Sequence, residues 1–213
     1  LVRTPEGGVV DQGDTRWYPY TLVIPARAVD GDLLKLGVFG HGVFGTGRGY
    51  LTGGIGRDII HPLAQRAGAL VVATDWIGLS GGDRERLIEE VVSDLNNVHI
   101  ITDRLQQGLI NNLVLIELTR GTLQYDERIR LSEAPLIDGD ETWYYGVSLG
   151  GIQGSSLVSL SDSITRAVLA VPGGAWASLL TRSIVYAPIK TLVDLVYPDP
   201  LLQQAFISLL QAK

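Results

Sequence analysis

The chain of 213 residues contains no cysteine. Disulfides, thiolate metal sites and a cysteine nucleophile are therefore excluded. Methionine is absent too, even at position 1, so the sequence reads as a processed product or a fragment. Histidine is scarce: His41, His61 and His99 are the whole supply, too few for a His-rich metal centre. Positive charge is in deficit, with 17 Lys and Arg against 23 Asp and Glu and a net charge of −6. That balance argues against a nucleic-acid partner and against anchoring to anionic lipid. No apolar run is long enough for a membrane span; the longest mainly apolar stretch without a charge, the 15 residues 167–181, is interrupted by Pro172 and two glycines. Residues 1–14 are polar and glycine-rich, with no secretory signal. A cysteine-free chain is compatible with export, and a secreted or periplasmic location is slightly favoured.

What is present suits a folded α/β protein. Hydrophobic residues make up 46% and charged residues 19%, enough for a core and unlike a disordered chain. Residues 17–28 alternate apolar and polar side chains, a strand signal, and Asp30-Gly31 marks a turn into an apolar strand at 33–39. These two strands are expected to form a hairpin. A glycine-rich loop spans 40–56, and a helix is expected over 57–67, with Ile59, Ile60, Leu63 and Ala64 on one face. Residues 69–74 (ALVVAT) form a continuous apolar strand of the kind buried on both faces of a parallel sheet. A long helix follows over 85–119, with Gly108 and Asn111-Asn112 as possible breaks. Then come a strand at 142–147, a helix at 149–160 and a strand at 165–171. Alternating strands and helices imply a mostly parallel sheet with helices on both faces. From Pro172 the pattern changes to short apolar helices. The expected division is a core at 1–175 and the start of a helical cap or lid at 176–213.

The chemistry-bearing motif is Gly146-Val147-Ser148-Leu149-Gly150-Gly151. It lies between an expected strand and an expected helix, the context of a nucleophile elbow. Glycines flank the serine because so sharp a turn leaves no room for side chains. The helix N-terminus beyond it offers N–H groups to a developing negative charge. A second signal, Gly40-His41-Gly42-Val43-Phe44-Gly45, directly follows the strand at 33–39.

Together these residues resemble the α/β-hydrolase superfamily over roughly residues 17–175, and bacterial esterase-like and lipase-like members with a cap after the sixth strand in particular. The resemblance implies that Ser148 is the nucleophile and that the backbone N–H groups of Leu149 and Val43 form the oxyanion hole. It implies no cofactor and no metal. His41 corresponds to a structural loop residue. The family order is Ser, then Asp or Glu, then His. No histidine follows Ser148, so the acid and the histidine are expected on a C-terminal segment of the same protein outside these 213 residues. The alternatives are a non-catalytic binding protein and recruitment of His41 or His99.

Other candidates have plainer readings. Asp75 follows a parallel strand and is expected to brace a loop. Asp194 and Asp199 lie in the expected cap as solvated or capping residues. His99 and Asp103 form a helix-flank pair, and His61 is structural. Asp138-Gly139-Asp140 lacks the other ligands of a calcium loop and is expected to be a turn. The glycine-rich loop lacks a Gly-Lys-Ser/Thr ending, so nucleotide binding is not indicated. The implied activity is a serine hydrolase of small or lipid-like carboxylic esters, with peptidase, acyltransferase and polyester hydrolase as other chemistries on the same fold.

Overall fold

In the computed structural model of the protein, residues 2–211 are described, except 7, 12, 93, 185 and 186. Two short strands, β1 (Val2–Arg3) and β2 (Val9–Val10), pair antiparallel at the N-terminus. The main sheet contains β3 (Tyr20–Val23), β4 (Leu34–Gly40), β5 (Ala69–Thr74), β6 (Ile137–Val147) and β7 (Ile164–Ala170). Its order is β3-β5-β4-β6-β7, with β4 to β7 parallel and β3 antiparallel to β5.

The expected hairpin does not form. The strand at 17–28 is shorter, a 3-10 turn at Ala26–Asp30 follows it, and β3 pairs with β5, leaving β4 in the centre. β4 is buried along nearly its whole length, so a parallel partner on each side satisfies its backbone.

The helices are α1 (Gly47–Thr52), α2 (His61–Ala67), the single turn α3 (Arg84–Arg86), α4 (Val98–Arg120), α5 (Leu149–Leu160), α6 (Trp176–Leu180), α7 (Ala187–Val196) and α8 (Pro200–Gln211). Strand alternation divides the core between the two sheet faces. Leu36, Val38, Leu70, Val72 and Tyr144 face Leu115 and Ile116 of α4 and Leu149 and Leu157 of α5. Phe39, Val71 and Ala73 face Leu51 of α1, Ile60 and Ala64. Ile59 and Leu63 of the expected helix face are instead exposed. A widened π turn at Gly56–Ile60 precedes α2. It accommodates Pro62, which has no N–H to donate and whose ring would clash in a regular helix.

The long helix breaks earlier than its glycine suggests. Asp94 accepts from Asn96 N, and Asn97 N donates to the Asp94 carbonyl, local bonds that compete with helix. Gly108 lies unbroken inside α4, where a Cβ would stand 3.2 Å from Ile77 N. β6 begins before the expected residue 142, so Asp138-Gly139-Asp140 is strand, not a preceding turn. α5 matches its expected bounds.

The chain runs from β4 to β5 on one side and then crosses back to β6 on the other. The carboxyl ends of β4 and β6, in register at Gly40 and Gly146, therefore form the topological switch point where open α/β sheets place their sites. Two loops meet there and are braced to each other. His41 is fully buried; its Nε2 accepts from Trp76 N at 2.7 Å, so Nδ1 carries the proton and donates to the Gly42 carbonyl at 2.7 Å. Phe44 N donates to Leu79 O, and Gly81 N to Gly45 O. Asp83, 3% exposed, accepts from Gly78 N, Ser80 N, Ser80 Oγ and Arg104 Nε, pinning the second loop to α4. Burial alone pushes the Asp83 carboxyl up, but the Ser80 and Arg104 hydrogen bonds outweigh it and hold the pKa below the usual carboxylate range.

Asp83→Asn leaves Arg104 unpaired and costs about 3 kcal/mol in urea unfolding near pH 7. Because the folded pKa is depressed, the carboxylate's contribution is complete above the unfolded value of about 4 and is lost as pH falls through the folded one. The gap between wild type and Asp83→Asn narrows over that acidic window. His41→Leu removes two buried hydrogen bonds and costs about 2 kcal/mol. Burial lowers the folded pKa of His41 below 6.5. Wild type therefore loses stability as pH drops from about 6.5, where the unfolded histidine protonates first, and the leucine variant lacks that component. Denaturant melts at stepped pH read both.

Candidate active site

β6 ends at Val147 and α5 begins at Leu149, so Ser148 occupies a one-residue turn between strand and helix. Its φ of 55° and ψ of −113° lie where non-glycine residues are strained, at a cost on the order of 1–3 kcal/mol. The surrounding structure holds it there. Ser148 N donates to Ala170 O of β7 at 3.0 Å, and Ser148 O accepts from Ile152 N at 3.0 Å. The N–H groups of Leu149, Gly150 and Gly151 precede that first helical bond and have no intrahelical acceptor. They point with the positive end of the helix dipole toward the turn.

Sterics explain the glycines. A Cβ on Gly150 would overlap the Gly40 carbonyl, and one on Gly146 would overlap the Gly150 carbonyl. The start of α5 thus rests directly on the end of β4. Tyr144, buried beneath, donates its hydroxyl to Gly150 O at 2.5 Å. Burial pushes that phenol's pKa up, which keeps the donor proton in place.

The loop after β4 passes beside Ser148. From the point where a Gly42 Cβ would stand, Ser148 Cβ is 3.7 Å away and Tyr50 Oη is 2.7 Å away. Phe44, at φ 56°, and Gly45 both spend their N–H groups inside the braced loops. Val43 N has no acceptor among the described residues. Ser148, Leu149 and the Val43 loop are therefore neighbours, although they lie about a hundred residues apart in sequence.

The other candidates make local contacts within the fold. Asp75 Oδ1 accepts from Gly47 N at 2.8 Å and so steadies the start of α1. His61 Nε2 bonds to the Leu51 carbonyl across the π turn, and His99 Nδ1 bonds to Asn96 O on the exposed start of α4. Asp194 pairs with Lys190 and accepts from Gln203, while Asp199 caps α8 through Leu201 N. Among the described residues no group of three or more His, Asp or Glu side chains is placed to hold a metal ion, and no helix is long and apolar enough to cross a membrane.

One site neighbour carries no sequence signal. Tyr50 belongs to a stretch that reads as glycine-rich loop, yet Thr46 caps α1 there, its Oγ1 accepting from Gly49 N at 2.9 Å. The only hint is the Thr-x-x-Gly spacing, which fits a helix N-cap as readily as a turn.

No protein-family model and no curated protein matches the chain. Among solved structures, it is similar to an acetyl xylan esterase from Paenibacillus sp. R4, with 19% identity and a TM-score of 0.51; 84% of this chain is covered and 53% of that one. It is also similar to acetyl xylan esterase 1 from Thermoanaerobacterium sp. JW/SL YS485, with 16% identity and a TM-score of 0.50, covering 90% of this chain and 56% of that one. The chain thus spans little more than half the length of these neighbours. At such identities the likeness concerns the fold, and with the sheet order and crossovers described above it shows that the chain has an α/β-hydrolase fold.

Proposed function

We propose that the protein is a serine hydrolase of carboxylic esters that works through an acyl-enzyme on Ser148. The observation that carries this reading is the backbone of Ser148, held at positive φ between β6 and α5 with free N–H groups on both sides of it. A serine that only needed to turn the chain would be replaceable by glycine at less strain. Ser148 Oγ attacks the ester carbonyl carbon, and the carbonyl π electrons move onto oxygen. The N–H groups of Leu149 and Val43 receive that oxyanion. Collapse breaks the bond to the alcohol, which leaves with the serine proton; water then attacks the acyl-serine and releases the carboxylic acid.

The proton transfers need a base. His41 has both ring nitrogens engaged and is buried, which supports its structural role and a base supplied from elsewhere. The reading assigns the histidine and its acid to a segment of the same protein beyond these 213 residues. Residues 176–213 are taken as the start of a cap. Their own small cluster of Ala177, Val193 and Ile207, with Leu195 and Leu201 turned outward, suits an apolar cover over a cleft. An apolar cover favours acyl or aromatic esters over charged peptides.

The test is reaction of the full-length protein with a fluorophosphonate, followed by intact mass and peptide mapping. A single adduct on Ser148, absent in Ser148→Ala, together with at least a thousandfold loss of p-nitrophenyl acetate hydrolysis in that variant, is the expected outcome. A wild-type protein that neither labels nor hydrolyses the ester is a binding protein, and the proposal then fails.

A further inference from the structure

The geometry points to Tyr50 as a third, side-chain donor to the substrate oxyanion, an assignment that rests on Ser148 being the nucleophile. Three features fix the ring. Its backbone is held in α1, whose first turn is capped by Thr46 and braced by Asp75. The ring packs against Phe39 with centroids 5.6 Å apart and lies 6.3 Å from the His41 ring. On its other side the loop comes so close that a Cβ on Gly45 would stand 2.6 Å from Tyr50 Cε2.

A ring held in this way has one direction left for its hydroxyl, and that direction is over Gly42. There Tyr50 Oη and Ser148 Cβ face the same bare Cα, 2.7 Å and 3.7 Å from the position a Cβ would take. Gly42 immediately precedes Val43, whose N–H is the loop's contribution to the oxyanion site. The phenol, the serine and that N–H therefore border one small space, which any side chain at position 42 would fill. Among the described residues none exchanges a hydrogen bond with the Tyr50 hydroxyl, so its proton is free for a substrate oxygen. The ring also lines an open cleft of about 400 Å³ with Phe44, Thr46 and Ile55. The phenol is a hydrogen-bond donor only; its proton stays on Tyr50 throughout.

The test compares full-length wild type, Tyr50→Phe and Gly42→Ala. Tyr50→Phe keeps the ring and its packing on Phe39 and removes only the hydroxyl; Gly42→Ala fills the space between hydroxyl and serine. With p-nitrophenyl acetate, both variants are expected to lose about a hundredfold in kcat with KM within about twofold, the loss expected for one oxyanion donor. The rate of fluorophosphonate labelling falls in parallel, because the phosphoryl oxygen occupies the same space, and the thermal midpoint of Tyr50→Phe stays within about 2 °C of wild type. Wild-type rates of turnover and labelling in Tyr50→Phe overturn the assignment while leaving the Ser148 reading intact. So does a change in KM alone, which marks ordinary substrate binding. A wild-type protein that does not label at Ser148 overturns both.

Discussion

Everything at the carboxyl end of this sheet depends on how closely α5 seats on β4. Gly150 meets the Gly40 carbonyl with no space for a Cβ between them, and Gly146 meets the Gly150 carbonyl in the same way. This contact sets the angle between β6 and α5 and leaves a single residue, Ser148, to make the reversal. The positive φ of that serine is a consequence of the seating. The strain is held because the two neighbouring parallel strands and the buried Tyr144 hydroxyl fix the backbone on either side.

The second element of the site is a loop, and a loop alone would not hold a donor to within a fraction of an ångström. Here the loop after β4 borrows rigidity from the one after β5. Backbone bonds from Phe44 and to Gly45 tie them together, His41 clamps one to the other through Trp76 N, and Asp83 anchors the pair to α4. The buried His41 and Asp83 are thus spent on positioning. His41 has no nitrogen left to act as a base, and Asp75 is committed to the start of α1. The same bracing gives α1 a fixed attitude, which is what carries the Tyr50 ring to the edge of the serine's space.

The sheet order explains why these pieces meet. A chain that winds to one side of β4 and then to the other leaves a crevice at the reversal, and both glycine-rich segments emerge into it. The edge strand β7, largely exposed in contrast to β4 and β5, lies at the margin opposite β3. The chain spans little more than half of each of these solved neighbours, and its buried sheet core is built around β4.

The sequence by itself determined the parallel α/β architecture and the serine turn. Continuous apolar runs such as ALVVAT can only be buried on both faces, and G-x-S-x-G-G between a strand and a helix admits few backbone paths. Local chemistry also set the bounds of α5. Partner choice was a different matter. The hairpin expected between the first two strands failed because β4 can satisfy its backbone on both sides only in the sheet's centre, and pairing preference at that range is not written in the turn between them. Asp83 reads as an ordinary loop acid until α4 brings Arg104 to it, and Tyr50 reads as a residue of a glycine-rich loop until α1 points its hydroxyl across Gly42. The Asp83 contact joins residues that only the packed fold brings together, and the Tyr50 contact depends on the local turn at Thr46 folding as a helix and not as a loop.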